Sequence, residues 1–276
     1  MKHQAPALSE MSGMWRRSLL IQADGVRDST TLVRWLQAQT LFVDLRQGAS
    51  LPDFLAVRCL NDLTIEDCTQ LALQEGFAGR FTFDGDCFEW LRLIDFQPPS
   101  AGADAGRLWW EEGVLMEVGR DVPYVEHWQL DPTVVTRPLA GLRLRDVESG
   151  VAALALQVGT VFMFARDRRA PLTPGATLTE CVAGAGSLAD ARAMLDCEIS
   201  LGSAGFGLET GGHGGNVILA STHPWRVSAG FQLTCTDSTA SSVDIDAVGR
   251  RMTRRWQVLE AEGDPGAVWP DRQVSP

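Results

Sequence analysis

The sequence predicts a mainly β protein, built from two sequential antiparallel β-barrels with one or two short helices. Short segments in which apolar and polar residues alternate recur along the chain, and turn-forming residues separate them. This pattern stops near 132–138 and then begins again, which predicts an N-terminal barrel over residues 1–133 and a C-terminal barrel over residues 134–276. Closed barrels are expected because closure removes the unpaired edges of such sheets.

The composition limits the class of protein and its partners. The 276 residues and the 45% hydrophobic content are enough for a folded core. A formal net charge of -11 repels a phosphate backbone, so we expect no nucleic-acid partner. No apolar run approaches the roughly 20 residues that span a bilayer, and the residues before Trp15 do not resemble a signal peptide. We therefore expect no membrane insertion, a cytoplasmic location and free thiols at all six cysteines.

The first half is predicted to form a strand meander with one helix. Asp24-Gly25 is a tight-turn dipeptide after the first strand. Thr64 stands where a helix N-cap is expected, which predicts a helix over 63–75 that ends at Gly76. The stretch 98–106 is rich in Pro, Ser, Ala and Gly and is predicted to be a loop. The predicted strands are 15–22, 30–37, 40–46, 77–83, 90–95, 113–119 and 124–132.

The second half repeats this pattern. Prolines and glycines over 170–185 predict a loop, 187–194 predicts a helical turn, and the Pro-containing tail after Gly263 is expected to fray. The predicted strands are 140–145, 151–158, 160–166, 195–201, 217–221, 225–234 and 256–260.

One strand of the first barrel places a carboxylate between two aromatic side chains. Tyr124, Glu126 and Trp128 share a parity, so they lie on one face of a regular strand. His127 has the opposite parity and cannot point into the same lumen. A lone strand histidine is more often a surface or core residue than a catalyst.

Further strands can contribute to the same lumen, and Arg46 is the residue whose role matters most. One interpretation places Asp44 and Arg46, like Arg16 and Arg17, on the solvated outer face in weak ion pairs. In another, Arg46 anchors an anionic or carbonyl ligand and Glu126 balances its charge. In a third interpretation, these residues are buried for structural reasons alone. The candidate ligand-binding residues are Trp35, Gln37, Asp44, Arg46, Trp90, Tyr124 and Trp128.

The chain lacks the strong motifs of the common catalytic classes. It has no nucleotide-binding P-loop, no Gly-x-Ser-x-Gly elbow and no cysteines or histidines at zinc-ligand spacing. His213 lies in a glycine-rich stretch that we interpret as a mobile turn, and His223 opens a predicted strand as a packing residue. We expect no cofactor and no metal.

Several residues resemble the fungal Hri1 family in order and approximate spacing. They are Phe77-Ala78-Gly79, Trp90, Asp95, Glu117-Val118-Gly119, Glu126-His127-Trp128-Gln129 and Asp131-Pro132, with weaker similarity at 153–164, 197–202 and 256–258. The resemblance covers much of the chain and implies that both barrels are lipocalin-like. The segment Trp15-Arg16-Arg17 and the hairpin 35–46 have no counterpart in that family, which fits a separate branch with its own ligand.

Two main hypotheses about function remain beside a purely structural or interaction role. The first is a cytoplasmic protein that binds a small, partly apolar ligand, anionic or carbonyl-bearing, in the first barrel. The second is a cofactor-independent isomerase, hydratase or lyase on the same barrel, with Glu117 or Glu126 as acid or base and Arg46 as electrostatic stabiliser. Buried carboxylates in a cavity favour the enzyme, whereas an apolar cavity with charges only at its mouth favours the binder.

Overall fold

The computed structural model describes residues 4–99, 101–204 and 216–270, which form two nine-stranded antiparallel sheets. The strands of the first sheet are β1 (Gly13–Gln22), β2 (Arg27–Asp28), β3 (Leu32–Gln37), β4 (Leu41–Gln47), β5 (Glu75–Phe83), β6 (Phe88–Asp95), β7 (Ala105–Glu111), β8 (Val114–Gly119) and β9 (Tyr124–Leu130). The strands of the second are β10 (Leu139–Asp146), β11 (Ala152–Val158), β12 (Val161–Arg166), β13 (Glu198–Ser203), β14 (Asn216–Ser221), β15 (Gly230–Phe231), β16 (Leu233–Cys235), β17 (Thr239–Ile245) and β18 (Arg251–Gly263).

Both sheets curl into barrels. In the first, β1 and β3 to β9 follow one another in chain order, and β9 pairs back onto β1, so the barrel is closed. In the second, β10 pairs with β18, and the two edge strands β15 and β16 are separated in the chain only by Gln232. This barrel is nearly closed. The predicted fold class, two sequential antiparallel barrels in a mainly β protein, is confirmed.

Four short helices lie in the described part of the chain. They are α1 (Ile65–Leu71), α2 (Leu178–Ala183), α3 (Leu188–Met194) and α4 (Pro265–Val268). The hydroxyl of Thr64 accepts a hydrogen bond from the Asp67 amide, and the Asp67 carboxylate accepts one from the Thr64 amide, which is a capping box at α1. Thr177 and Glu180 form the same box at α2.

Several predicted elements need correction. The helix near 63–75 ends earlier than predicted because Glu75 and Gly76 already belong to β5. The predicted loop over 170–185 contains α2, whose capping box outweighs its flanking prolines and glycines. Leu195 caps α3, so the strand predicted to begin there starts only at β13. The strand predicted at 225–234 is instead a 3₁₀ turn, Pro224–Arg226, followed by β15 and β16.

Three strands escaped prediction, and part of the tail is ordered. β2 is only two residues long, too short to show an alternating pattern. β7 contains adjacent tryptophans, Trp109 and Trp110, which interrupt the alternation of apolar and polar residues. β17 consists mostly of small polar residues, which carry little apolar signal. After Gly263, helix α4 packs the buried Trp269 against the core of the second barrel, while 271–276 lie outside the described residues.

The two barrels pack against each other through the outer faces of consecutive strands. β3 and β4 of the first barrel contact β11, β12 and β13 of the second. The core between them includes Leu36, Val43, Leu156, Met163 and Ile199, together with apolar residues of α1, α2 and α3. A continuous core of this kind couples the stability of the two barrels.

A buried carboxylate also joins the barrels. Glu262 of β18 accepts hydrogen bonds from the amides of Gln39, Thr40 and Leu41 and from the Thr40 hydroxyl, at the tip of the β3–β4 hairpin. Between the sheets, the chain runs from Leu130 at the end of β9 to Leu139 at the start of β10. The division into domains at 133 and 134 stays a prediction.

Candidate functional site

The lumen of the first barrel is filled with aromatic side chains at one end and open at the other. Trp35 is fully buried, stacks on Trp15 and makes edge contacts with Phe81, Trp90 and Trp128. These aromatic side chains form the floor of a cavity of about 400 Å³. Its lining residues are Leu20, Gln22, Ala23, Asp44, Arg46, Phe77, Trp90, Arg92, Asp104, Glu117, Val122, Pro123, Tyr124, Glu126 and Trp128.

The structure brings most of the predicted site residues together in this cavity. Those that line it are Asp44, Arg46, Trp90, Glu117, Tyr124, Glu126 and Trp128. Trp35 and Gln37 are not among the lining residues: the Trp35 indole N–H donates to Gln37 Oε1 at 3.1 Å within the buried floor. They support the walls of the cavity from below.

Asp44 and Arg46 lie on the inner face of β4, so the alternative that placed them on the solvated outer face is wrong. The Arg46 side chain is 18% exposed, and its Nε donates to Asp44 Oδ1 at 2.8 Å. Its guanidinium also lies over the ring of Phe77, 5.0 Å from the centroid. Burial raises the pKa of Asp44 to about 6, although the charge of Arg46 opposes this shift.

Arg17, assigned to the outer face in that same alternative, also points inward. Its side chain is only 5% exposed, and it forms ion pairs with Glu126 at 2.6 Å and Asp28 at 3.0 Å. The pairing of β1 with β9 is irregular between Arg17 and Leu19, where Ser18 is an extra residue. A bulge of this kind puts both Arg17 and Leu20 on the inner face, which simple parity does not predict.

Glu117 is buried and held by two donors from β9. The Tyr124 hydroxyl donates to Oε1 at 2.6 Å, and the Trp128 indole N–H donates to Oε2 at 2.8 Å. Burial, followed by the nearby carboxylates of Glu126 and Asp104, raises the pKa of Glu117 well above its usual range. Glu117 therefore holds its proton to higher pH than a glutamate in water does.

Glu117 and Glu126 face each other across neighbouring strands. They are register partners in the β8–β9 pairing, and both are almost fully buried. Glu126 differs from Glu117 in being ion-paired with Arg17, while Arg46 Nη1 lies 3.8 Å from it. Glu117 thus accepts hydrogen bonds from neutral donors, whereas Glu126 lies next to two guanidinium groups. The two carboxyl groups are therefore suited to different chemical roles.

Arg92 and Asp104 form a wall of the cavity that the sequence prediction missed. Arg92 pairs with Asp104 at 2.7 Å and with Asp95 at 2.9 Å, and its guanidinium lies over Phe77, 3.6 Å from the ring centroid. The shared parity of Arg92 and Trp90 on one strand was a signal that could have revealed the arginine. Nothing comparable marks Asp104, which precedes β7 in a loop.

The two histidines among the described residues, His127 and His223, do not line this cavity. His127 is half-buried on the opposite face of β9 from Glu126, as parity predicted. His223 does not open a strand; it is buried, stacks on Trp225 and contacts the Leu195 carbonyl through Nε2 at 2.9 Å. The glycine-rich stretch around His213 lies outside the described residues.

Over residues 4–99, 101–204 and 216–270, no three metal-ligating side chains are grouped as a metal site would require. Within the same ranges, no helix has the length and apolar content to cross a membrane. All six cysteines are present as free thiols.

Comparison with known proteins gives one structural likeness. No protein-family model matches the chain, and no curated protein matches it. The chain is similar to a solved structure of the uncharacterized protein YLR301w from Saccharomyces cerevisiae, with a TM-score of 0.48 and 12% sequence identity. The alignment covers 91% of this chain and 98% of the yeast chain. Membership of the Hri1 family and the lipocalin-like character of the barrels stay predictions.

Proposed function

We propose that the first barrel binds a small, partly apolar, carbonyl-bearing molecule. The observation that carries this proposal is the inner surface of the cavity, where apolar and aromatic walls surround a few polar groups. Leu20, Phe77, Trp90 and Trp128 supply the walls, and Arg46 supplies a hydrogen-bond donor among them. Apolar walls with a small number of placed polar anchors are typical of small-molecule sites.

The balance of charge favours an uncharged carbonyl compound over an anion. Among the lining residues are two guanidinium groups, those of Arg46 and Arg92, and four carboxyl groups, those of Asp44, Asp104, Glu117 and Glu126. The inward-pointing Arg17 adds a third guanidinium group, but it is paired with Asp28 as well as Glu126. Carboxylates therefore outnumber guanidinium groups even with Glu117 uncharged, and an anion would enter against a negative potential. A neutral oxygen acceptor meets no such barrier.

Arg46 is the best-placed anchor for that acceptor. Its Nε is committed to Asp44, whereas no hydrogen-bond partner for its two terminal nitrogens is found in the described part of the chain. A guanidinium edge on a cavity wall can donate to a carbonyl oxygen. The carboxylates of Asp44 and Glu126 balance its charge, so the ligand need not do so.

The proposal can be tested with acetophenone as a small aryl ketone, because Trp90 and Trp128 in the cavity walls allow binding to be followed by fluorescence. We expect saturable quenching by acetophenone and much weaker quenching by benzoate. Arg46→Ala should weaken ketone binding at least about tenfold, the effect of one lost charge-assisted hydrogen bond. Arg107→Ala, on the exposed side of β7, is the matched control and should bind like the wild type.

Equal affinity for acetophenone and benzoate would contradict the preference for an uncharged ligand. Unchanged ketone binding in a folded Arg46→Ala variant would overturn the role of Arg46. Circular dichroism of each variant verifies that it is folded.

An enzyme is the second candidate, and the Glu117–Glu126 pair favours it. A ketone held between them can receive a proton on oxygen from Glu117 and lose one from the adjacent carbon to Glu126, which yields the enol. Reversal of this step in D₂O replaces the methyl hydrogens of acetophenone with deuterium. Exchange that Glu117→Gln slows by about 10²- to 10⁴-fold would support an enzyme, whereas binding without catalysed exchange supports the binder. Glu126→Gln is a less clean test because it deprives the buried Arg17 of a partner.

A further inference from the structure

The second barrel repeats the strand arrangement of the first. β10 pairs with β18 as β1 pairs with β9, and β17 precedes β18 as β8 precedes β9. The helices also correspond, since α1 connects β4 to β5, while α2 and α3 connect β12 to β13. Equivalent positions in the two barrels can therefore be compared.

A tryptophan on the last strand fixes this correspondence. Trp128 is in register with Arg17 of β1 and Leu115 of β8, and its indole N–H donates to Glu117, two residues after Leu115. Trp256 is in register with Asp146 of β10 and Ala240 of β17, and its indole N–H donates to Ser242, two residues after Ala240. The two tryptophans occupy equivalent places.

The charges at the equivalent positions are reversed. Two residues before Trp128 stands Glu126, which pairs with Arg17 at 2.6 Å. Two residues before Trp256 stands Arg254, which pairs with Asp146 at 3.4 Å. The second barrel thus carries an arginine where the first carries the central carboxylate of its cavity.

A cavity of about 440 Å³ lies at this end of the second barrel. Its charged lining residues are Arg166, Arg169, Arg192, Arg250, Arg254, Asp196, Asp244 and Asp246, so arginines outnumber aspartates. Arg166 and Arg254 both lie against Asp244, and the Arg166 side chain is only 5% exposed. The Nε of Arg166 is buried, and no described residue accepts a hydrogen bond from it.

Of the other lining arginines, Arg250 is paired with Asp246 at 2.9 Å, whereas Arg192 and Arg169 have no ion pair within the described residues and add positive charge. Arg192 donates to the Leu63 carbonyl, a neutral group, through Nε at 2.8 Å and Nη2 at 2.5 Å. Arg169 is exposed at the rim. Excess guanidinium groups around a concave surface concentrate oxyanions, and the planar donors of arginine match their geometry.

We propose that this cavity is a second binding site, specific for a small molecule that carries a doubly charged oxyanion of the phosphate type. The site is independent of the ketone site in the first barrel and has the opposite electrostatic preference. Arg254 and Arg166 form its inner wall, and Arg169 contributes at the entrance.

Inorganic phosphate is the probe for this site, measured by isothermal titration calorimetry at low ionic strength. We expect saturable binding of one phosphate per chain, weaker binding of acetate, and loss of affinity as salt is added. Arg254→Gln should weaken phosphate binding at least about tenfold, and the exposed Arg169→Gln should weaken it by a smaller factor. Arg255→Gln is the matched control, because Arg255 is the next residue of β18 but its side chain is 69% exposed and pairs with Glu148 outside the cavity.

Arg169→Gln keeps the test decisive should Arg254→Gln fail to fold. The proposal is overturned by an absence of saturable phosphate binding at millimolar concentration. It is equally overturned if Arg255→Gln weakens binding as much as Arg169→Gln does, since that result indicates general charge attraction. Arg46→Ala should leave phosphate binding unchanged, which separates this site from the first.

Discussion

At the scale of single residues, Glu117 shows how burial and hydrogen bonding oppose each other. The donors Tyr124 and Trp128 favour its charged form, whereas burial and the neighbouring Glu126 and Asp104 disfavour it more strongly. Its pKa in the folded protein is therefore raised. A cavity carboxyl with a raised pKa keeps its proton to higher pH than the same residue in water, and while protonated it can donate a hydrogen bond or a proton to a ligand.

The raised pKa of Glu117 predicts a dependence of stability on pH. Because the folded state holds this proton more tightly than the unfolded state, its contribution is complete at low pH and is lost as pH rises above about 4.5, the ordinary glutamate value. Asp44 acts in the same direction between its ordinary value of 3.8 and about 6. We expect Glu117→Gln to be less sensitive to rising pH than the wild type, by up to about 1.4 kcal/mol per pH unit.

Urea unfolding of both proteins across mildly acidic to mildly alkaline pH measures this difference. The exposed Glu148→Gln is the matched control and should follow the wild-type curve. Parallel curves for Glu117→Gln and the wild type would show that Glu117 ionises as readily in the folded protein as in the unfolded one.

At the scale of elements, two β-bulges decide which face of the sheet the neighbouring side chains point to. One is the bulge in β1 at Ser18, which puts both Arg17 and Leu20 on the inner face. The other lies in β6, where Leu93 is an extra residue and the pairing with β5 shifts at Gly79. A Cβ at Gly79 would collide with the Leu91 carbonyl, so glycine is needed for the close approach.

The capping boxes hold the helices that fill the space between the barrels. α1 buries Cys68 and Leu71 in the inter-barrel core, and Thr64 caps its first turn. We expect Thr64→Ala to lower the free energy of unfolding by about 1 kcal/mol because the amide of Asp67 loses its acceptor. Thr64→Ser keeps the hydroxyl and should recover most of this loss. Chemical denaturation of both variants makes the measurement, and equal stabilities would argue against the cap.

At the scale of the whole molecule, the two barrels share one apolar core, and the buried Glu262 of the second barrel accepts hydrogen bonds from the β3–β4 hairpin of the first. Separation would expose residues such as Leu156 and Ile199 to water and leave the Glu262 carboxylate without its donors from the β3–β4 hairpin. Both changes are costly.

The shared core predicts that the described barrels unfold together. In differential scanning calorimetry we expect a single transition whose calorimetric and van't Hoff enthalpies agree. Glu262→Ala should lower the Tm of that transition because three backbone amides lose their acceptor. Two resolved transitions in the wild type would show that the barrels are independent.

The amino-acid sequence by itself determined the fold class and much of the first cavity. Alternation of apolar and polar residues is a local property, so it predicted most strands and the shared face of Tyr124, Glu126 and Trp128. The same reasoning grouped Asp44 with Arg46 before their surroundings were known. It could not choose between the inner and outer faces for Asp44 and Arg46, because parity groups residues without saying which side is buried.

Only the tertiary structure decided how the charges are paired and which face each strand buries. The Ser18 bulge reverses parity within β1, and it depends on pairing with β9, more than 100 residues away in the chain. The closeness of Glu117 to Glu126 and the reversed charges around Arg254 likewise arise from register between strands. Such contacts join residues that are distant in sequence, and local patterns carry no information about them.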